Sequence, residues 1–199
     1  LPVESLAGKQ GLDLMSGTGE AWPHLFKRHP DVAEVTAIDI SEGMHKRAMA
    51  RLHAHRAHKI SFIEDDVLRS ELPPESADFV ISTFGLKTFN SAQQQVLASL
   101  IARVLRPGGS FSLIEASDPK GWMLRPLYLL HLKGVLPLVE RFLMRGAQDF
   151  AMIGAYCSNF GDCGPFAAML EAQGLKLRLS KYFFGCATGV SGFRPKQTW

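Results

Sequence analysis

The sequence predicts a doubly wound, Rossmann-like α/β fold, with a mostly parallel sheet that ends in an antiparallel hairpin. Three observations predict it. Short apolar runs alternate with stretches of helical periodicity from Gly11 to Ala116. The first run passes into a glycine-rich turn, LDLMSGTGE, Leu12 to Glu20. The last two runs, Leu175 to Phe183 and Cys186 to Phe193, are separated by little more than Phe184 and Gly185. Parallel neighbours need a crossover that a helix supplies, whereas so short a link forces antiparallel pairing.

Taken in order, GLDLM, Gly11 to Met15, reads as a buried strand, and Glu20 to Arg28 as the helix after the glycines. EVTAID, Glu34 to Asp39, is a second strand ending on an acid, and Ser41 suits the N-cap of a helix reaching about His55. KISFIED, Lys59 to Asp65, and ADFVIST, Ala77 to Thr83, give the third and fourth strands. Between Ala92 and Leu105, the residues Val96, Leu97, Leu100, Ile101, Val104 and Leu105 form one apolar stripe at helical spacing. Arg106-Pro107-Gly108-Gly109 then reads as a turn before a fifth strand, Ser110 to Ala116. Gly121 to about Phe160 is Leu-rich and helical, with Pro126 and Pro137 expected to kink or divide it, and Pro165 to Gln173 is a further helix.

A chain of 199 residues suits one domain. We expect that domain to span 1–199, with a helical cap inserted over about 119–164. Domains of this kind usually carry helices ahead of the first strand, so a missing N-terminal part is also an expectation. An apolar share of 46% and a charged share of 21% suit a soluble globular enzyme, and a net charge of +3 falls short of a nucleic-acid footprint. Cys157, Cys163 and Cys186 are odd in number and fit neither a zinc site nor a disulfide framework, so the expected setting is cytoplasmic and no metal is expected. His53, His55 and His58 lack supporting acids and read as a solvated helix end. No uncharged apolar run reaches the roughly 18 residues of a membrane span.

In an open parallel sheet, ligands sit at the carboxyl ends of the strands, where the strand order reverses. Asp13 followed by Gly17-Thr18-Gly19 places two glycines where the backbone turns tightly and approaches a ligand. The helix beginning near Glu20 presents N–H groups toward a carboxylate. Asp39, at the end of the second strand, is placed to accept hydrogen bonds from ribose hydroxyls. A nicotinamide fingerprint would have a third glycine where this chain has Trp22. S-adenosylmethionine (SAM) carries no phosphate and needs only its amino-acid end and ribose gripped, so SAM is the expected cofactor. Asp65 or Asp66 can accept from an adenine amino group and the Val67 N–H can meet a ring nitrogen, the alternative being two solvated loop acids. Ile40 and Met44 either sandwich the adenine or belong to the core. Thr83 and Phe84 end the fourth strand near the expected methyl group.

These residues, together with VISTFGLKTF, RVLRPGGSFSLIEASDP and the ending CATGVSGFRP, in that order and at similar spacing, resemble the ubiquinone and menaquinone biosynthesis C-methyltransferases. The resemblance runs from residue 10 nearly to the end of the chain. It implies a class I methyltransferase fold and methyl transfer to a ring carbon of a polyprenyl quinol at a membrane face. The chain departs from the family at Lys87-Thr88, where the family usually has Arg-Asn, and between Ala147 and Gly164, where Tyr156 is the only tyrosine. Arg and Lys are not interchangeable at a bidentate site.

A phenol or quinol gains nucleophilicity on losing its proton, which calls for a base or a cation that stabilises the phenolate. Lys87 is the candidate cation, or else a solvated loop lysine. Tyr128 and His131 lie three apart on a predicted helix and either can touch the acceptor, core packing being the alternative. Glu115 and Asp118 follow as site neighbours or as capping, solvated acids. Trp122 to Met144 suits an apolar lid that leans on a bilayer, or an ordinary cap. Three further readings stay open: O- or N-methylation of another small or lipid acceptor, a non-catalytic SAM-binding module, and an NAD-dependent oxidoreductase. The sequence leaves the oligomeric state open.

Overall fold

The computed structural model describes residues 1–54, 59–135 and 150–196. Seven strands form one sheet: β1 (Gln10–Leu14), β2 (Glu34–Asp39), β3 (Ile60–Glu64), β4 (Ala77–Thr83), β5 (Leu105–Ala116), β6 (Lys176–Tyr182) and β7 (Ala187–Phe193), in the order β3-β2-β1-β4-β5-β7-β6. The first five pair in parallel, and β7 runs antiparallel to both β5 and β6. The expected class, a doubly wound sheet closed by a hairpin, is the one observed. Strand order reverses between β1 and β4, which opens a crevice at their carboxyl ends.

The described helices are α1 (Trp22–Arg28), α2 (Glu42–Ala54), α3 (Ser91–Val104), α4 (Arg125–Leu130), α5 (Phe150–Phe160) and α6 (Gly164–Ala172). Alternation along the strands makes two cores. On one face Leu14, Val80, Phe111 and Val190 pack against Leu97 and Ile101 of α3 and Phe166 of α6. On the other, Val35, Ala37, Phe79 and Ile81 meet Trp22 and Phe26 of α1 and Ala48 of α2.

Most strand and helix boundaries follow the expected ones closely, and the differences have local causes. Helix α3 starts at Ser91 because Asn90 and Gln93 form a reciprocal capping box. Arg106 to Gly109 does not form a separate turn. Leu105 is already extended and pairs with Ala77, and the next residues make a bulge before Ser110 meets Phe79, with Gly108 at φ 84°. Pro126 does not kink the cap helix but opens it, in the first turn where no N–H is needed. A π-helical turn, His131–Val135, follows α4. Pro137, His55 and His58 lie outside the described residues.

Candidate active site

The turn after β1 is built on left-handed backbone. Met15, Gly17 and Gly19 take φ values of 55°, 54° and 72°. The two glycines serve different ends. A Cβ on Gly17 would meet nothing within 4 Å, so this residue faces open space where a ligand can approach. A Cβ on Gly19 would lie 2.5 Å from the Trp22 ring, so the protein's own packing requires glycine there. Helix α1 begins at Trp22, two residues later than expected, after the Trp22 N–H donates to the Gly19 carbonyl at 3.2 Å.

Trp22 has a second role in the turn. Its indole Nε1–H donates to Asp13 Oδ2 at 2.8 Å, and its ring packs edge-on against Phe62, 5.5 Å between centroids. Asp13 is fully buried, and its other oxygen, Oδ1, has no hydrogen-bond partner among the described residues. Burial raises its carboxyl to about 7, against the Trp22 hydrogen bond, and the Asp39 charge adds to the rise. Asp13 therefore lies beneath the turn and carries an unanswered acceptor there.

Asp39 laces the strand ends together. Its Oδ2 accepts the Gly17 N–H at 2.8 Å, its Oδ1 accepts the Ser41 N–H at 2.9 Å, and its carbonyl accepts the Asp65 N–H at 3.2 Å. A carboxylate has about four lone-pair sites, so two protein donors leave capacity for ribose hydroxyls. Thr18 is half-buried on the same turn. Ile40, beside Asp39, is 69% exposed and is no part of the core, while Met44 is half-buried. Asp65 Oδ1 accepts the Asp66 N–H at 2.8 Å and Asp66 Oδ1 the Leu68 N–H at 3.0 Å. Both acids are half-buried and shaped into a turn, not loose in solvent, and the Val67 side chain is buried in the core.

Across the switch point, Thr83 is half-buried and Phe84, at φ 63°, is 47% exposed. Lys87 is held rather than solvated. Its Nζ lies 3.0 Å from Glu115 Oε1 and also donates to the Phe84 carbonyl, and its backbone N–H donates to Glu115 Oε2 at 2.9 Å. The Lys87 side chain is only 10% exposed and that of Glu115 is not exposed at all. Burial pushes the Glu115 carboxyl up, against three donated hydrogen bonds and the Lys87 charge. From sequence Glu115 reads either as a site neighbour or as a capping, solvated acid. An acid inside an apolar parallel strand was the signal that it must be paired.

Tyr128 and His131 do not share an environment. The Tyr128 hydroxyl donates to the Ser117 and Cys186 carbonyls, at 3.2 and 3.3 Å, and burial holds its phenol well above the ordinary range. His131 is exposed. Asp118 is bound by Arg125, at 2.5 and 2.6 Å. A cavity of about 410 Å³ opens on the α1 side of β4 and β5, lined among others by His24, Arg28, Thr83, Phe84 and Ile114. It shares Thr83 and Phe84 with the residues read from sequence, whereas Asp39, Asp65 and Lys87 lie outside it.

The model of the ubiE/COQ5 methyltransferase family matches residues 3–193. The chain belongs to this family. It is a SAM-dependent methyltransferase. It is 26% identical over 188 residues to the demethylmenaquinone methyltransferase of Geobacillus stearothermophilus, covering 94% of this chain and 80% of that protein. Among solved structures it resembles a SAM dependent methyltransferase from Aquifex aeolicus, with a TM-score of 0.62, 17% identity and coverage of 94% and 83%. It also resembles Haemonchus contortus phosphoethanolamine N-methyltransferase 2 in complex with S-adenosyl-L-methionine, with a TM-score of 0.68, 13% identity and coverage of 98% and 50%. At such identities the two structures speak for the fold alone. The residues at the turn fit SAM: Gly17 faces open space, the buried Asp13 has an oxygen without a hydrogen-bond partner among the described residues, and Asp39 has lone pairs to spare.

Proposed function

We propose that the chain transfers a methyl group from SAM to a ring carbon of a lipophilic quinol or related phenol. SAM supplies an electrophilic methyl on its sulfonium, so the protein's task is alignment, water exclusion and management of the acceptor's charge. The Gly17–Gly19 turn and Asp39 hold the amino-acid and ribose ends. Asp65, Asp66, Val67, Ile40 and Met44 surround the adenine. Thr83 and Phe84 face the methyl group.

The observation that carries the acceptor assignment is the buried Lys87–Glu115 pair behind Phe84. Glu115 and the Phe84 carbonyl keep the ammonium at the end of β4, where a phenolate oxygen would need a positive neighbour as its ring carbon attacks. Lys87 thus stabilises the anionic acceptor and Glu115 positions Lys87. Tyr128 ties α4 to the ends of β5 and the closing hairpin through the Ser117 and Cys186 carbonyls. The relatives named for demethylmenaquinone support the same class of acceptor. A lipophilic quinol resides in a bilayer, which brings the enzyme to a membrane surface, although no helix of the described residues is long and apolar enough to cross one.

The test is product analysis. The chain is incubated with SAM labelled in its methyl group and a short-chain quinol lacking one ring methyl. Label on a ring carbon is expected, and label on oxygen or nitrogen, or turnover only with another acceptor, overturns the assignment.

A further inference from the structure

The β6–β7 link lies at the carboxyl edge of the sheet, because Ala116 at the end of β5 pairs with Ala187, which pairs with Tyr182. This is the edge on which the site opens. The link projects Phe183 and Phe184, 80% and 79% exposed. Both take left-handed φ, 48° and 58°, a costly conformation for a bulky side chain. Phe184 stacks on Trp122, with 5.4 Å between centroids and 3° between planes. Beyond Trp122 the apolar surface continues through Met123, 87% exposed, and Leu124, Leu127 and Leu130.

The Tyr128 hydrogen bonds to Ser117 and Cys186 fasten α4 to the hairpin, so the two aromatic segments form one patch. Basic residues flank it. Lys120 precedes Trp122, Lys181 precedes the tip by two residues and Lys133 follows α4, and all three are exposed. Of the nearby acids, Asp118 is taken by Arg125 and Asp162 Oδ1 accepts the Gly164 N–H. Exposed aromatics with a basic rim match a lipid–water interface: the rings enter the headgroup boundary and the ammonium groups meet phosphates.

We propose that Phe183, Phe184, Trp122 and Met123 form an interfacial anchor that docks the enzyme on an anionic lipid bilayer. Lys120, Lys133 and Lys181 contact the lipid phosphates. In this orientation the carboxyl edge faces the bilayer and an acceptor dissolved there enters the site without crossing water. The source of the acceptor rests on the quinol reading above.

Binding to vesicles tests the anchor without acceptor or SAM. The full chain is sedimented with vesicles of equal parts phosphatidylcholine and phosphatidylglycerol, and with phosphatidylcholine alone. Strong, salt-sensitive binding to the anionic vesicles is expected. The Phe183→Ser/Phe184→Ser variant should lose partitioning on the order of tenfold or more. Lys120→Glu/Lys181→Glu should lose the preference for anionic lipid. Both variants should keep the wild-type affinity for SAM, which shows that they fold. No binding of the wild type to anionic vesicles, equal binding of the Phe variant, or self-association through the tip in sedimentation equilibrium overturns the proposal. Vesicle binding without quinol methylation would instead refute the acceptor reading and leave the anchor standing.

Discussion

The Trp22 indole N–H donates to Asp13 Oδ2 at 2.8 Å, from the position where a dinucleotide-binding turn would have a third glycine. One side chain therefore fills the space that a pyrophosphate turn leaves for close helix packing and also braces the buried acid beneath the glycines. Trp22→Phe keeps most of the volume but removes the donor. Asp13 then has neither oxygen answered, and the fold should lose about 1–3 kcal/mol, measured by urea denaturation.

Asp13 makes stability depend on pH. Its carboxyl titrates at about 7 in the folded protein, above its ordinary range. The folded state thus keeps a proton that the unfolded chain releases, so this contribution is full in acid and is lost as pH rises from about 4 through about 7, at about 1.4 kcal/mol per unit of difference. Asp13→Asn retains an oxygen for Trp22 and does not titrate. Denaturation curves should show the variant gaining on the wild type between about pH 5 and about pH 8. An unchanged gap would mean that Asp13 titrates normally.

The two glycines should separate cleanly. Gly17→Ala meets no neighbour, so stability should fall by only about 1–2 kcal/mol for the left-handed backbone, while SAM affinity by calorimetry collapses. Gly19→Ala drives a methyl into the Trp22 ring and should cost about 1–3 kcal/mol more, seen as a lower melting temperature even without SAM.

Asp39→Ala removes both the ribose acceptor and the tie between Gly17 and Ser41. SAM binding should weaken on the order of a hundredfold or more. Unchanged affinity in a titration would refute the ribose assignment.

Lys87→Met leaves Glu115 buried without a counter-charge, and the loss of stability should reach about 3–5 kcal/mol at neutral pH. In Lys87→Met/Glu115→Leu no charge is stranded, so much of that stability should return. The proposed role of Lys87 predicts that kcat stays low in the double variant while KM for SAM is unchanged. Recovery of kcat would make the pair structural.

The strand runs were legible because a parallel sheet covered on both faces demands unbroken apolar segments, and the hairpin because two residues cannot carry a crossover. The place of Asp39 at the end of the second strand was legible too, since the apolar run stops on it, but its ties to Gly17 and Ser41 were not. What sequence could not supply was partnership at a distance. Nothing near Asp13 announces that Trp22 will answer it, and Arg125 finds Asp118 only once α4 folds back. Lys87 read equally as a solvated lysine because its partner sits 28 residues away, on β5. The hairpin tip escaped for a different reason: Phe-Phe-Gly reads as an end of core strands, and only exposure reveals that the two rings leave the core.

The lacing at Asp39 bears on how SAM arrives. One residue draws the ends of β1, β2 and β3 together through Gly17, Ser41 and Asp65. These bonds are the protein's own, so little loop ordering should be left to oppose association with SAM. Its capture should resemble a key entering a cut lock, with small heat-capacity change beyond that of the surface it covers.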